Sequence, residues 1–384
     1  MGRIEEFLLD RKNKNLFRTL HAATSRSGGR IRLDGGEYLD FSSNDYLGLS
    51  EHPKLKEASI KAAEKFGTSS SASRLMSGDL EIHHQLEDKT AEFKGTQSAL
   101  VFNSGYQANV GVISSLCKKG DVVFFDKLSH ASIIDGVMLS GARFFHFRHN
   151  DLDNLEHLLK RERHNFDVSL IITETVFSMD GDMPPLKGLV ALKEKYNSMF
   201  MVDEAHATGI FGKNGSGLVE KEGLIDCVDL TMGTFSKALG SFGAYIACSN
   251  VIKQYLINAC RSFIYSTALP PAIIAANLAA LDVVRDEPFR RSILLENANY
   301  FREELRKRGF EVLGSSQIVP LIIGESQRAV MLSEELRKRG CRVLPIRPPT
   351  VPAGKSRLRF SLTYHHSGNE LGKLIDDICE INRL

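Results

Sequence analysis

The chain has 384 residues, 42% of them apolar, and a formal net charge of +2 from 49 basic and 47 acidic side chains. That is enough for a large domain and a smaller one with a filled core, and the charges are too evenly spread for a nucleic-acid footprint. The six cysteines (Cys117, Cys227, Cys248, Cys260, Cys341, Cys379) are scattered without a C-x-x-C pair, and no run approaches the ~18 apolar residues of a membrane span, so reduced thiols in the cytoplasm are expected rather than a disulfide framework, structural zinc or an anchor.

At the amino end, Leu8, Leu9, Leu16, Phe17 and Leu20 recur at helical spacing between lysines and arginines, so residues 1–45 are read as an arm with an amphipathic helix running through Leu20. From about Ser98 to Ala247, short apolar runs alternate with helical stretches: Ala99–Phe102, Asp121–Phe125, Val168–Thr173, Met199–Val202 and Leu230–Met232. This pattern predicts an α/β domain over 46–285, with a mostly parallel sheet covered by helices on both faces. After Pro270-Pro271 an alanine-rich helical stretch leads to Asn299, and strand (Ile318–Ile323), helix (Ser333–Lys338) and strand (Arg357–Thr363) predict a small α+β domain over 286–384. Ligands of such sheets gather at the carboxyl ends of strands, so the residues just after each run are the candidates for chemistry.

The run Met199–Val202 ends in Asp203-Glu204-Ala205-His206. A carboxylate there can hold a pyridine nitrogen protonated and turn its ring into an electron sink; the plainer reading is an aspartate capping the next helix. In Leu230–Gly240, Lys237 follows an apolar strand amid Gly, Ser and Thr, where partial desolvation would suit it to be a Schiff-base nucleophile and then a base. A surface lysine is the alternative, and the apolar run before it argues the other way. Strand turns to helix at Ser104-Gly105-Tyr106, where exposed amides can bind phosphate, although turn chemistry alone accounts for a Ser-Gly pair. The Walker A spacing is missing at Gly212-Lys213 and at Ser236-Lys237, and Gly105 stands alone in its turn, unlike a dinucleotide fold. His130 follows another apolar strand and can stack on a ring or serve as a cap. The pairs His83-His84 and His365-His366 and the near-pair His146/His149 lack companion ligands at metal-site spacing, so no metal site is read.

In this order, Ser104-Gly105-Tyr106, Ser129-His130-Ala131, Asp203-Glu204-Ala205-His206 and Thr234-Phe235-Ser236-Lys237 resemble the α-oxoamine synthases, the acyl-transferring branch of fold-type I pyridoxal phosphate (PLP) enzymes. The likeness runs from about Leu9 to the carboxyl terminus and takes in the segments Asn44–Gly48, Val176–Asp182 and Ile346–Gly354. It implies that Lys237 carries the cofactor, Asp203 meets the pyridine nitrogen, His206 the ring hydroxyl, and His130 stacks over the ring. Gly105, Tyr106, Ser178 and Thr234 are implied as further cofactor contacts, Thr234 through the phosphate, and Thr267 as a residue lent to the neighbouring subunit's phosphate site in a homodimer. On the substrate side the resemblance implies Arg359 gripping the amino-acid carboxylate, with Asn44 and His130 beside it and Arg18 and Thr350 toward the acyl group. Tyr106 stands where many of these synthases carry Phe.

The Arg347-Pro348-Pro349-Thr350 segment leans toward one member reaction, the decarboxylative condensation of L-alanine with a pimeloyl thioester on coenzyme A or a carrier protein, in biotin biosynthesis. Glycine with acetyl-coenzyme A is the sibling alternative, which His130–Gly136 resembles somewhat. A noncatalytic partner subunit of the same fold is the third, and Lys237 argues against it.

Overall fold

Runs of Val, Ile, Leu and Phe bounded by glycines and polar turns fold as strands, and the stretches between them fold as helices. The computed structural model describes residues 2–14 and 16–382. Helix α1 (Gly2–Asn13) precedes short strands β1 (Ala23–Ser27), β2 (Arg30–Leu33) and β3 (Gly36–Asp40), then helices α2 (Pro53–Phe66) and α3 (Glu81–Lys94). Strand β4 (Ser98–Phe102) leads into α4 (Gly105–Leu116), β5 (Val122–Asp126) into α5 (Ala131–Ser140), β6 (Arg143–Phe147) into α6 (Leu152–Glu162), and β7 (Ser169–Glu174) into α7 (Leu186–Lys195). After β8 (Met199–Asp203) come α8 (Leu218–Lys221), β9 (Leu230–Thr234), β10 (Ala244–Cys248), and helices α9 (Asn250–Ala259), α10 (Arg261–Ile264), α11 (Pro271–Asp286) and α12 (Phe289–Lys307). The chain ends with β11 (Ile318–Gly324), α13 (Ser326–Lys338), β12 (Cys341–Arg342), β13 (Pro345–Ile346), β14 (Ser356–Ser361) and α14 (Gly368–Asn382).

Seven strands make the main sheet, in the order β4-β10-β9-β8-β7-β5-β6. Strand β10 runs antiparallel to β4 and β9, and the remaining pairs are parallel. Strands β4, β5, β7, β9 and β10 are buried along their whole length. Both faces are covered, so these strands read as continuous apolar runs rather than alternating ones. Val101, Phe124, Ile171 and Phe200 enter one core, while Leu100, Phe125, Ile172 and Met201 enter the other. Glu174 pairs with Asp203, and Asp203 with Met232, so β7, β8 and β9 finish at one rim.

The amino-terminal reading needs correction. Helix α1 stops at Asn13 instead of running through Leu20, in keeping with asparagine's preference for helix ends. Strands β1, β2 and β3 then join β12 in a four-stranded sheet, β3 parallel to β12, which ties residues 23–40 to the carboxyl-terminal part. Strand β1 is exposed throughout and β6 is an edge strand with three of five residues exposed, so neither carries the buried-strand signature in sequence. A three-stranded antiparallel sheet, β11-β14-β13, lies against α13.

One buried ion pair fixes the segment after β8. Lys94, at the end of α3, donates to Glu204 Oε2 and to the Ser216 carbonyl, while Glu204 Oε1 accepts the Val219 N–H at 3.0 Å. Both side chains are almost wholly buried. Replacing Lys94 with Met strands the Glu204 carboxylate, and a loss of about 3–5 kcal/mol is expected. Urea unfolding reads this as a lower midpoint; an unchanged midpoint would contradict it.

Candidate active site

The rim formed by β7, β8 and β9, together with the turns after β4 and β5, lines a cavity that opens to solvent. Gly105, Tyr106, His130, Asp203, His206, Thr234 and Lys237 all line it, so most of the residues singled out in sequence meet in one place. Lys237 Nζ lies 2.9 Å from His206 Nε2, and His206 Nδ1 lies 2.7 Å from Tyr46 Oη. Tyr46 donates to Asn44 Oδ1 at 3.0 Å. Asp203 accepts the Ala205 N–H at 2.9 Å and Asn109 Nδ2 at 2.9 Å.

Arg359, on β14, reaches this cluster from the carboxyl-terminal sheet. Its Nε donates to the Ser178 carbonyl, its Nη1 to Ser361 Oγ at 2.5 Å, and its Nη2 lies 3.5 Å from both Asn44 Oδ1 and Tyr46 Oη. Ser178 thus holds the arginine through its main chain, and Asn44 shares a contact with it.

Burial governs the titrations. It lowers the Lys237 amine to about 8, against the opposing pull of the Asp203 charge. It also carries His206 well below the usual histidine range, helped by the charges of Lys237 and Arg359, and lowers His130. Burial, then the neighbouring Asp203 charge, pushes Glu174 well above the usual carboxylate range. A neutral imidazole beside a readily deprotonated amine suits nucleophilic attack on a carbonyl, followed by proton abstraction.

Sequence reasoning missed the residues behind these. Glu174 ends β7 as Asp203 ends β8, and its Oε1 accepts the His130 N–H at 2.6 Å; the carboxylate-after-strand argument applied to Asp203 would have found it. Asn109 lies on α4, one helical turn beyond Gly105, on the face turned to the sheet. His149, considered only as half of a metal pair, is clamped between Asp126 Oδ1 at 3.0 Å and Asp182 Oδ2 at 2.8 Å. Asp126 also accepts the Leu128 N–H at 2.8 Å, so the clamp joins the turn that carries His130 to the segment that carries Ser178. Burial alone would lower His149, but hydrogen bonds to the two aspartates raise it to about 10.

Three implied residues lie away from the cavity. Thr267 is exposed, and its carbonyl accepts Asn103 Nδ2 at 2.9 Å. Arg18 and Thr350 are also exposed, next to the groove that Phe17 and Pro349 line between the amino-terminal segment and the carboxyl-terminal part.

The cavity fits PLP by the chemistry of its donors. Gly105 and Tyr106 open helix α4, so their amides have no carbonyl one turn earlier to bond and remain for a phosphate. Thr234 Oγ1 donates to the Gly243 carbonyl at 2.8 Å and lies 2.7 Å from Ser236 Oγ, which adds a second hydroxyl to the lining. A Cβ built on Gly105 meets only Met232, at 3.6 Å, which is ordinary contact. The same lining holds the Asp203 carboxylate, suited to a ring nitrogen, and Lys237, suited to an aldehyde.

The family described as aminotransferase class I and II matches residues 36–378. A curated relative from Geobacter sulfurreducens, named 8-amino-7-oxononanoate synthase, is 47% identical over 97% of this chain and 96% of its own. A solved serine palmitoyltransferase from S. paucimobilis, with a bound PLP-myriocin aldimine, superposes with a TM-score of 0.93 at 31% identity, covering 100% of this chain and 97% of that one. The solved 8-amino-7-oxononanoate synthase of Francisella tularensis gives a TM-score of 0.79 at 30% identity over 90% of this chain and 98% of that one.

Two outcomes are expected from these titrations. Capture of the cofactor aldehyde needs the free amine, so the rate at which cofactor-free protein regains the cofactor's absorption should climb as pH passes through about 8; a climb centred on 10.5 would contradict the site. His149 is raised in the fold from 6.5 to about 10, so its contribution is full below 6.5, declines above that and is lost beyond about 10. The stability gap between wild type and His149→Gln in urea should therefore narrow from pH 6.5 to 9.5, and a constant gap would contradict the clamp.

Proposed function

The chain belongs to the aminotransferase class I and II family, in the branch whose curated members are named 8-amino-7-oxononanoate synthase, and from that premise we propose its reaction. It condenses L-alanine with a pimeloyl thioester to give 8-amino-7-oxononanoate, carbon dioxide and free thiol, in biotin biosynthesis. It is a fold-type I PLP enzyme. The observation that carries the reading is the Lys237 amine, lowered to about 8 and 2.9 Å from a neutral His206 in a cavity shared with Asp203.

When bound, PLP supplies an electron sink for the charge left on the alanine carbon that loses its proton. The chain's own residues divide the remaining work. Lys237 holds the cofactor and afterwards, as a free amine, takes that proton. Asp203 keeps the ring nitrogen protonated, His206 meets the ring hydroxyl, and His130 covers the ring face. The amides of Gly105 and Tyr106, with Thr234 and Ser178, orient the cofactor. Arg359 grips the alanine carboxylate with its planar fork beside Asn44, while Arg18 and Thr350 face the acyl group.

The same proposal takes the working unit to be a homodimer in which Thr267 serves the neighbouring phosphate site. Its exposure, and an α1 helix without one buried residue, support that. The organisation proposed is an arm over 1–45, a PLP-binding domain over 46–285 and a small domain over 286–384. In its support, the seven-stranded sheet falls wholly within the second and the β11-β14-β13 sheet within the third. No helix among the described residues is long and apolar enough to cross a membrane. The cytoplasm is the proposed compartment, on the strength of six free cysteines.

Purified, cofactor-loaded protein should release thiol from pimeloyl-coenzyme A only when L-alanine is present. Lys237→Ala should lower turnover at least ~100-fold. Arg359→Ala should raise KM for alanine about 10- to 100-fold through lost charged hydrogen bonds, with little change in KM for the thioester. Turnover of glycine with acetyl-coenzyme A alone would move the assignment to the sibling reaction.

A further inference from the structure

A neutral imidazole carries one hydrogen, and the nitrogen that holds it decides where the ring gives a hydrogen bond and where it takes one. Around His130 that choice follows from a chain of contacts that begins at Asp203. Asp203 accepts at both oxygens, Oδ1 from the Ala205 N–H and Oδ2 from Asn109 Nδ2, each at 2.9 Å. The same Asn109 nitrogen lies 2.9 Å from Ser132 Oγ. An amide nitrogen has two hydrogens to give and accepts none, so one goes to Asp203 and the other to Ser132. Turning the amide round would face Asn109 Oδ1 against Asp203 Oδ2, acceptor against acceptor; in the observed orientation that oxygen is buried without a partner among the described residues.

Ser132 Oγ, already accepting from Asn109, has its own hydrogen left, and His130 Nδ1 stands 2.8 Å away. The Ser132 backbone N–H points at the same ring nitrogen from 3.2 Å. A backbone N–H can only donate, so Nδ1 is the acceptor and carries no hydrogen, and the Ser132 hydroxyl turns its own hydrogen to the same nitrogen. Asn109 and Ser132 are buried, so no solvent competes for these contacts.

We infer that Asn109 and Ser132 are positioning residues that fix His130 as its Nε2–H tautomer, so that the ring edge opposite Ser132 is a hydrogen-bond donor. Burial keeps the ring neutral. The consequence for chemistry rests on the reaction proposed above: His130 gives a hydrogen bond to a substrate oxygen in the cavity it lines and is not free to take the alanine proton, which leaves that task to Lys237.

The test is long-range 1H–15N NMR of the cofactor-loaded protein, labelled at histidine nitrogens, with His130→Gln identifying the His130 signals. In wild type, Nδ1 should resonate as a bare ring nitrogen and Nε2 as a protonated one. Ser132→Ala, which keeps only the longer amide contact, should shift both signals toward the average of the two tautomers while retaining the cofactor's absorption. Asn109→Leu should shift them in the same direction. A wild-type hydrogen on Nδ1, or on both nitrogens, overturns the inference, and so does a Ser132→Ala spectrum identical to wild type. The wild-type spectrum decides even where a variant fails to fold. No substrate is present, so failure of the proposed reaction would leave this result standing.

Discussion

A lysine that attacks an aldehyde near neutral pH must give up its proton, and a direct carboxylate partner would hold that proton on. Among the described residues Lys237 has no carboxylate within ion-pair distance, and its hydrogen-bond partner is a buried His206 carried well below the usual histidine range. Asp203 is near enough for its charge to be felt but is engaged elsewhere, by Asn109 and the Ala205 amide. The amine is therefore lowered by burial and only partly restored by charge, and the rest of the site is arranged around that balance.

Keeping the carboxylates in place without touching the lysine takes structure at several removes. The shared rim of β7, β8 and β9 sets Glu174 opposite Asp203. The Lys94–Glu204 pair pins the residue after Asp203, Gln317 donates to the His206 carbonyl at 2.9 Å, and the His149 clamp ties the turns on either side of the cavity. Arg359 couples the carboxyl-terminal sheet to the site: it sits on β14 yet bonds the Ser178 carbonyl and reaches Asn44 and Tyr46, so a shift of that sheet would move the guanidinium relative to Lys237.

The sequence made β4, β5, β7, β8 and β9 legible because strands covered on both faces are continuous apolar runs, but not the equally buried β10, whose Ala-Tyr-Ile-Ala-Cys is poorer in branched residues. Asp203, which ends β8, and Lys237, three residues past β9, stood out against that background. Strands β1 and β6 were not legible, since exposed strands lose the pattern that marks buried ones. In the site, groups that touch the cavity could be argued from their chemistry, whereas Asn109, Ser132 and His149 act through other side chains, and nothing in a linear sequence says which polar groups meet across α4, α5 and β8. Arg18, Thr267 and Thr350 came from resemblance alone, and within one chain they stay outside the cavity.

The central claim is that this one buried amine holds the cofactor. Borohydride reduction of the cofactor-loaded protein, followed by peptide mass mapping, tests it most directly, because the reduced bond is permanent and its position can be read. The account predicts a single pyridoxyl mass increment on the peptide containing Lys237; an increment on any other lysine, or none, would contradict it.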